Sequence, residues 1–237
     1  MNKKTLFSDL GLISYKNALE IQYQHQQNLI KRKLDIRDGL ISADDVPSEN
    51  HLIFCSHKPV YTLGRSGALS NLLFDQKQLN EKGIEFFKSS RGGDITYHGP
   101  GQIVGYPVFD LDNFYHDVHK YVRDVEQVVI YTLEEFGITT TRIPGLTGVW
   151  IKGDGDRKDR KICAIGIHIS RWVTLHGFAL NVNTDLSYFN GIVPCGIDDA
   201  NKDVTSMEKE FGKKIDMDNV KKVLKKHFKN VFNLDYI

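Results

Sequence analysis

Hydrophobic positions return every three or four residues over two long stretches of the chain. Tyr15, Ala18, Leu19, Leu29 and Ile30 share one face and predict an amphipathic helix over 14–33, with a glutamine-rich middle at Gln22, Gln24, Gln26 and Gln27. Val118, Tyr121, Val122, Val125, Val128, Val129, Thr132, Leu133 and Phe136 predict a longer helix over 114–136 that Gly137 ends. A short helix is expected over 74–82 with Gly83 as its stop, and a last one carries Val220, Val223, Leu224 and Phe228. Thr205 and Glu208 have capping-box spacing for a helix start.

Shorter apolar runs bounded by turn residues predict strands over 51–56, 60–63, 84–87, 103–109, 138–143, 148–152, 161–169 and 173–183. Pro107 inside one of them points to an edge strand or a bulge. Asp44, Asp45, Pro47 and Ser48 mark a surface loop, and the charged stretch 153–160 a hairpin tip. Strands and helices mix without regular β-α-β alternation. The expected class is therefore α+β, in one domain spanning 1–237 without linker or repeat.

Composition alters this picture little. At 237 residues, 41% hydrophobic and 26% charged, the chain can bury a sizeable core. Its 31 basic and 30 acidic residues lack the basic excess of a nucleic-acid binder. No apolar run is long enough to span a bilayer, and Ser8 and Asp9 interrupt any signal-like segment, so a cytoplasmic protein is expected. Three cysteines, Cys55, Cys163 and Cys195, suit free thiols in a reducing compartment.

The richest chemistry lies at 91–102, where four glycines and a proline carry the polar side chains of Arg91, Thr96, Tyr97, His98 and Gln102 between two apolar runs. Such a loop reads as a binding loop held by a sheet. The sequence has no Walker motif, and the glycines lead into a strand where a dinucleotide fingerprint needs a helix. No Cys/His spacing suits zinc, and the pair His116 and His119 reads as surface. Cys55 and Cys163 sit inside apolar strands as small core residues, whereas Pro194-Cys195-Gly196 places a thiol in a tight turn. A thiol near pKa 8.5 is only about a tenth ionised at pH 7.5, so a nucleophilic Cys195 needs a cation beside it. Lys161, at the junction of charged tip and apolar strand, is a candidate, although it also reads as one more member of the basic tip. Ala164, Gly166, Gly177 and Ala179 leave room beside the strands that an acyl chain would need.

The run Arg91-Gly92-Gly93-Asp94-Ile95-Thr96-Tyr97-His98-Gly99-Pro100-Gly101-Gln102 resembles the signature of the lipoyl(octanoyl) transferases. So do 59–64, 147–150, 161–166, 176–181, 194–196 and 204–206, in the family's order across about residues 13–210. The charged tip at 153–160 and the composition of the N-terminal segment depart from the family pattern without touching a motif. The resemblance implies a mixed, largely antiparallel sheet flanked by helices, like the catalytic domain of biotin and lipoate protein ligases. It implies an acyltransferase of protein lipoylation, working without ATP or cofactor. This enzyme would move an octanoyl group from octanoyl-acyl carrier protein to a lysine of lipoyl domains, in 2-oxoacid dehydrogenases and the glycine cleavage H protein. Carried over by position, Cys195 would hold the thioester and Lys161 would lower its pKa. Arg91, Gly92, Gly93, Asp94, Ile95, Thr96, Tyr97 and His98 would line the substrate, with Ala164, Ile165, Gly166, Gly177, Phe178 and Ala179. Rival readings are an ATP-using ligase of the same fold, in which a lysine and no cysteine is critical, and a non-catalytic acyl-binding module.

Overall fold

The computed structural model describes residues 2–42, 49–194 and 201–237. The loop expected at Asp44, Asp45, Pro47 and Ser48 lies outside the described residues. The chain opens with a strand that the apolar pattern does not predict, β1 (Lys4–Ile13), whose side chains are mostly half-exposed or exposed. Helix α1 (Tyr15–Arg37) follows, with the Ser14 side chain accepting from the Asn17 N–H as its cap. Then come β2 (Asn50–His57), β3 (Val60–Leu63), α2 (Gln76–Glu81), β4 (Glu85–Lys88), β5 (Ile95–His98) and β6 (Gln102–Val108). The second half runs through α3 (Val118–Glu135), β7 (Thr141–Ile143), β8 (Leu146–Ile151), β9 (Asp159–Ser170), β10 (Val173–Asn181), β11 (Lys202–Val204), α4 (Met207–Phe211), α5 (Met217–Phe232) and β12 (Asp235–Tyr236). Helix α4 starts one residue later than the capping spacing predicts. Ser206 caps it by accepting from Lys209 N–H, while the Thr205 hydroxyl donates to Glu210.

Nine strands form the main sheet in the order β12-β1-β2-β6-β10-β9-β8-β7, with β11 beside β9. The central ladders β2–β6, β6–β10 and β10–β9 are antiparallel, whereas β1 pairs parallel to both β2 and β12. The mixed, largely antiparallel α+β class is the observed one. A second sheet, β4-β3-β5, stands apart and carries the glycine-rich loop between its last two strands in sequence.

Each face of the main sheet has its own apolar layer. Val125, Val129 and Leu133 of α3 and Val220, Leu224 and Phe228 of α5 bury against Phe54, Ile103, Phe178 and Leu180 on one face. Each such side chain contributes roughly 1.5–3 kcal/mol on leaving water. On the other face Ala18 of α1 meets Ile53, Cys55, Val104, Tyr106 and Ala179, a thinner layer of smaller side chains. The glutamine-rich middle of α1 packs on the sheet, where Gln22 and Gln26 are buried and bond to the backbone of β10.

Pro107 sits neither at an edge nor in a bulge, because β6 lies between β2 and β10. The β6–β10 ladder stops after Gly105↔Phe178 and resumes in the same register at Asp110↔Val173, so no residue is inserted. In that register His176 stands opposite Pro107, and it adopts a left-handed φ of 62°. The sheet tolerates a proline in a central strand because its partner turns aside where the missing N–H would be needed.

Candidate active site

The site is built on two pairs of small residues. Register places Ala164 opposite Ala179 and Gly166 opposite Gly177 across β9 and β10, which leaves the sheet surface low on the α1 side. The glycine loop lies over this surface and is fastened at several points. Gly92 N–H donates to Ile167 O at 2.8 Å, Arg65 N–H to Arg91 O at 2.9 Å and Gly64 N–H to Asp94 O at 3.2 Å. Only a glycine fits at 166, since a Cβ there would lie 2.8 Å from Gly92 O and 3.2 Å from Arg91 Cδ. Between loop, sheet and the start of α1 remains a cavity of about 310 Å³, within the size range of small-ligand sites.

Arg91, Gly92, Gly93, Asp94, Ile95, Thr96 and His98 all border this cavity, as do Ala164, Ile165, Gly166, Gly177, Phe178 and Ala179. Tyr97 does not. It points into the apolar cluster behind the loop, stacked on Tyr188 at 4.8 Å and edge-on to Phe189 at 5.6 Å. Strand alternation explains this, because Thr96 and His98 on either side take the other face. The Asp94 carboxylate is committed to the loop itself, accepting from Ile95 N–H at 2.6 Å and from Asn71. Arg91 is buried, and its guanidinium donates to the Thr62 hydroxyl and carbonyl and to Gly92 O at 3.1 Å.

Lys161 borders the same cavity, with Nζ 4.7 Å over the ring of the fully buried Trp150. Cys195 lies outside the described residues, but Pro194, its neighbour in sequence, lines the cavity. Cys55 and Cys163 are buried, and burial pushes both thiols far up, so neither offers a ready thiolate.

The polar side chains around the cavity are held in fixed roles. Gln102 Nε2 donates to Tyr97 O at 3.2 Å and Asn181 Oδ1 at 2.9 Å. Its Oε1 therefore accepts from His98 Nδ1 at 2.8 Å, which leaves His98 Nε2 without that proton. Asn181 Nδ2 continues the chain to Thr205 O at 3.0 Å. Burial, reinforced by His57 and the Arg91 charge, lowers His98 to about 3. His176 is likewise lowered to about 3 by burial and Arg91, and its Nε2 meets Ser90 Oγ at 3.0 Å. The cavity thus combines an apolar bed, neutral imidazoles and two fixed cations, a setting for an uncharged chain ending in a polarised carbonyl.

Residues 31–229 match the family model described as the lipoyl protein ligase A/B catalytic domain. The chain belongs to this family. Within it the chain resembles octanoyltransferases: it is 53% identical to that of Cytophaga hutchinsonii over 98% of this chain and 94% of the relative. It is 50% identical to that of Flavobacterium johnsoniae over the full length of both. It is an enzyme of the acyltransferase class, on the octanoyltransferase side of the family and apart from the ATP-dependent ligases. Among solved structures, the bi-partite lipoate protein ligase of Thermoplasma acidophilum superposes with a TM-score of 0.71 at 17% identity, covering all of this chain and 86% of that one. A lipoate-protein ligase A bound with ATP gives 0.67 at 17%, covering all of this chain and 88% of that one. At such identity the likeness concerns the fold.

Several residues of this family member's cavity escape the sequence reading. Tyr15, Val104, Tyr106, Thr147, Asn181 and Phe189 all border it. Tyr15 and Val104 read as ordinary core positions, and Tyr106 as part of an apolar strand. Asn181 and Thr147 stand inside quoted motifs, so their polarity next to strand ends was the available signal.

Proposed function

We propose that this chain transfers an octanoyl group from octanoyl-acyl carrier protein to a lysine of lipoyl domains, those of 2-oxoacid dehydrogenases and of the glycine cleavage H protein. The observation that carries the reading is a lysine ammonium and the Pro194 end of the Pro-Cys-Gly turn sharing one largely apolar cavity. Cys195, next in sequence, is the nucleophile. Its thiolate attacks the carrier's thioester carbonyl, the carrier's thiolate leaves, and octanoyl-Cys195 remains. This exchange of like bonds is close to energy-neutral and needs no nucleotide.

The acceptor amine then attacks the same carbonyl, and Cys195 leaves as thiolate while an amide forms. A lysine near pKa 10.4 must shed a proton to attack. Lys161 stabilises the resting thiolate by its charge, gives a proton to the departing carrier thiolate in the first step, and as the free amine takes the acceptor's proton in the second. The chain acts as one catalytic unit in the cytoplasm. No helix among the described residues is long and apolar enough to cross a membrane, and the near-balanced charge supports protein over nucleic-acid partners.

Mass analysis of the enzyme mixed with octanoyl-carrier protein tests this without ATP present. An adduct of octanoyl mass on Cys195, absent in Cys195→Ala and passed to an apo lipoyl domain, is the expected result. An adduct on Cys163, or transfer that persists in Cys195→Ser, would sink it.

A further inference from the structure

The direction of Lys161 is set by a break in the pairing of β8 with β9. Val149 stands opposite Cys163 and Trp150 opposite Lys161, so one step along β8 takes two along β9 and Ile162 is the extra residue. Ile162 and Cys163 accordingly bury in the same apolar layer, against strand alternation. A bulge of this kind re-aims its neighbours, here Lys161. The lysine stem runs over β8, with Cε 3.7 Å from where a Cβ of Gly148 would be and Nζ 4.7 Å from the centre of the Trp150 ring. Gly148 cannot carry a side chain, because its φ is 123° and a Cβ would meet Cys163 O at 2.6 Å.

Trp150 is a costly residue for that place. It is fully buried, and among the described residues its indole N–H has no acceptor. A phenylalanine would avoid this orphaned donor. What the indole adds is the aromatic face that attracts a cation best. Lys161 is half-buried, and burial draws an ammonium toward its neutral form. The ring opposes that drift. On α3 the charged group nearest in this network is Glu126, held by Arg123 and Arg142, and it acts on Cys163 together with Lys161. Strand β11 brings Lys202 and Asp203 alongside β9, and the glycine loop brings Arg91 and Asp94 to the cavity. Arg160, next to Lys161 on β9, is paired with Glu210, while β8 carries no charged side chain. A change at Trp150 leaves all of these in the sequence.

We propose that Trp150 is the positioning residue of Lys161: its ring holds the ammonium over β8 by cation–π attraction and keeps it protonated until the carrier thiolate leaves. This rests on the octanoyl-transfer reading above. Trp150→Leu keeps an apolar wall without a π face, and Trp150→Phe keeps a smaller face.

NMR titration of the full chain carrying isotope-labelled lysine tests this in a Cys195→Ser background, where no catalytic thiolate titrates in the same range. The Lys161 Cε–Hε signal is identified by its absence after Lys161→Arg. Ring current should place it upfield of the other lysines. Its midpoint is expected to fall by about 0.5–1.5 pH units in Trp150→Leu and by less in Trp150→Phe. Should the leucine variant not fold, the smaller fall in the phenylalanine variant decides. An unchanged midpoint would leave Trp150 a packing residue, and a rise would mean that the ring acts by excluding water; either overturns the proposal. With Cys195 restored, the alkaline limb of octanoyl-adduct formation should move down with the midpoint. If the wild type forms no adduct, the reading of the function fails, while the titration still decides what Trp150 does to Lys161.

Discussion

His176 stands opposite Pro107 in the β6–β10 register, and the two residues make a single break in the middle of the main sheet. The proline has no N–H to give, and the histidine turns into the left-handed region with φ 62°. The groups released by this break are satisfied from elsewhere. His176 N–H donates to Gln22 Oε1 at 3.1 Å, and Gln26 Nε2 donates to Val173 O at 3.0 Å, both from α1. The Thr174 hydroxyl donates to Pro107 O at 2.7 Å and accepts from Phe109 N–H at 2.8 Å. The break puts the His176 ring at the cavity wall beside Ser90.

Because a branched side chain resists positive φ, His176→Val is expected to destabilise the fold by about 1–3 kcal/mol. His176→Asn, which tolerates that conformation, is expected to cost less. Urea unfolding midpoints of the two variants check this ordering. Equal losses would mean that the ring's contacts, and not the backbone, set the cost.

Gly166 fastens the loop to its bed. A methyl there would press on Gly92 O at 2.8 Å and lift the Arg91–Gly93 segment from β9. Gly166→Ala is expected to lower kcat/KM for octanoyl transfer by about 10–100-fold, because sub-ångström to 1 Å displacements of a positioning element cost that much. Circular dichroism should show the fold retained. An Ala variant with wild-type kinetics would contradict the close loop contact.

Much of this arrangement was legible in the residues. Period-3.6 stripes located α1 and α3, and short apolar runs located the strands that flank the glycine loop. The loop's polar tips and the Lys161 position both led to one cavity. What stayed hidden has physical causes. Strand β1 carries few buried side chains, since it lies near the edge of the sheet with only short β12 beyond it, and so lacks an apolar signature. Pro107 misled because its remedy is supplied by Gln22, Gln26 and Thr174, residues distant in sequence from it. Tyr97 was assigned to the substrate by position in a motif, whereas alternation along β5 turns it to the opposite face. Tyr106 was silent because its place at the cavity and its bond to His57 arise only from strand pairing.

Three buried imidazoles predict how the fold responds to acid. Burial lowers His57 to about 4 and His98 and His176 to about 3, with Arg91 adding to the effect on the last two. Unfolded, each would titrate near 6.5. A depressed folded pKa means that the stability is complete above about pH 6.5 and is lost as pH falls from there toward the folded values, since only the unfolded chain takes the proton. At pH 5 each neutral imidazole lowers stability by about 2 kcal/mol relative to neutral pH. Urea unfolding at pH 7.5 and 5.0 should therefore show a smaller pH difference in His98→Asn than in the wild type, by roughly that amount. An identical difference would place His98 in contact with solvent.

Glu126 is fully buried on α3, yet it is the point where that helix grips the edge of the sheet. Its Oε1 accepts from Gly148 N–H at 2.9 Å, while Oε2 receives Arg123 at 2.6 Å and Arg142 at 2.9 Å. Arg142 also reaches Gln127 and the Arg123 carbonyl, so the carboxylate anchors a small network. Removing it leaves the buried Gly148 N–H without its acceptor, a loss of about 1–3 kcal/mol, while the two part-exposed guanidinium groups can turn to water. Glu126→Ala is expected near that range and Glu126→Gln somewhat below it, because the amide oxygen can still accept from Gly148. Gly148 lies on β8 directly before the Val149–Trp150 segment that pairs with β9 at Cys163 and Lys161. Loosening this anchor should therefore also reach Lys161. At a temperature where Glu126→Gln remains folded, its transfer rate is expected to fall several-fold more than its folded fraction. Activity that tracks the folded fraction alone would confine Glu126 to stability.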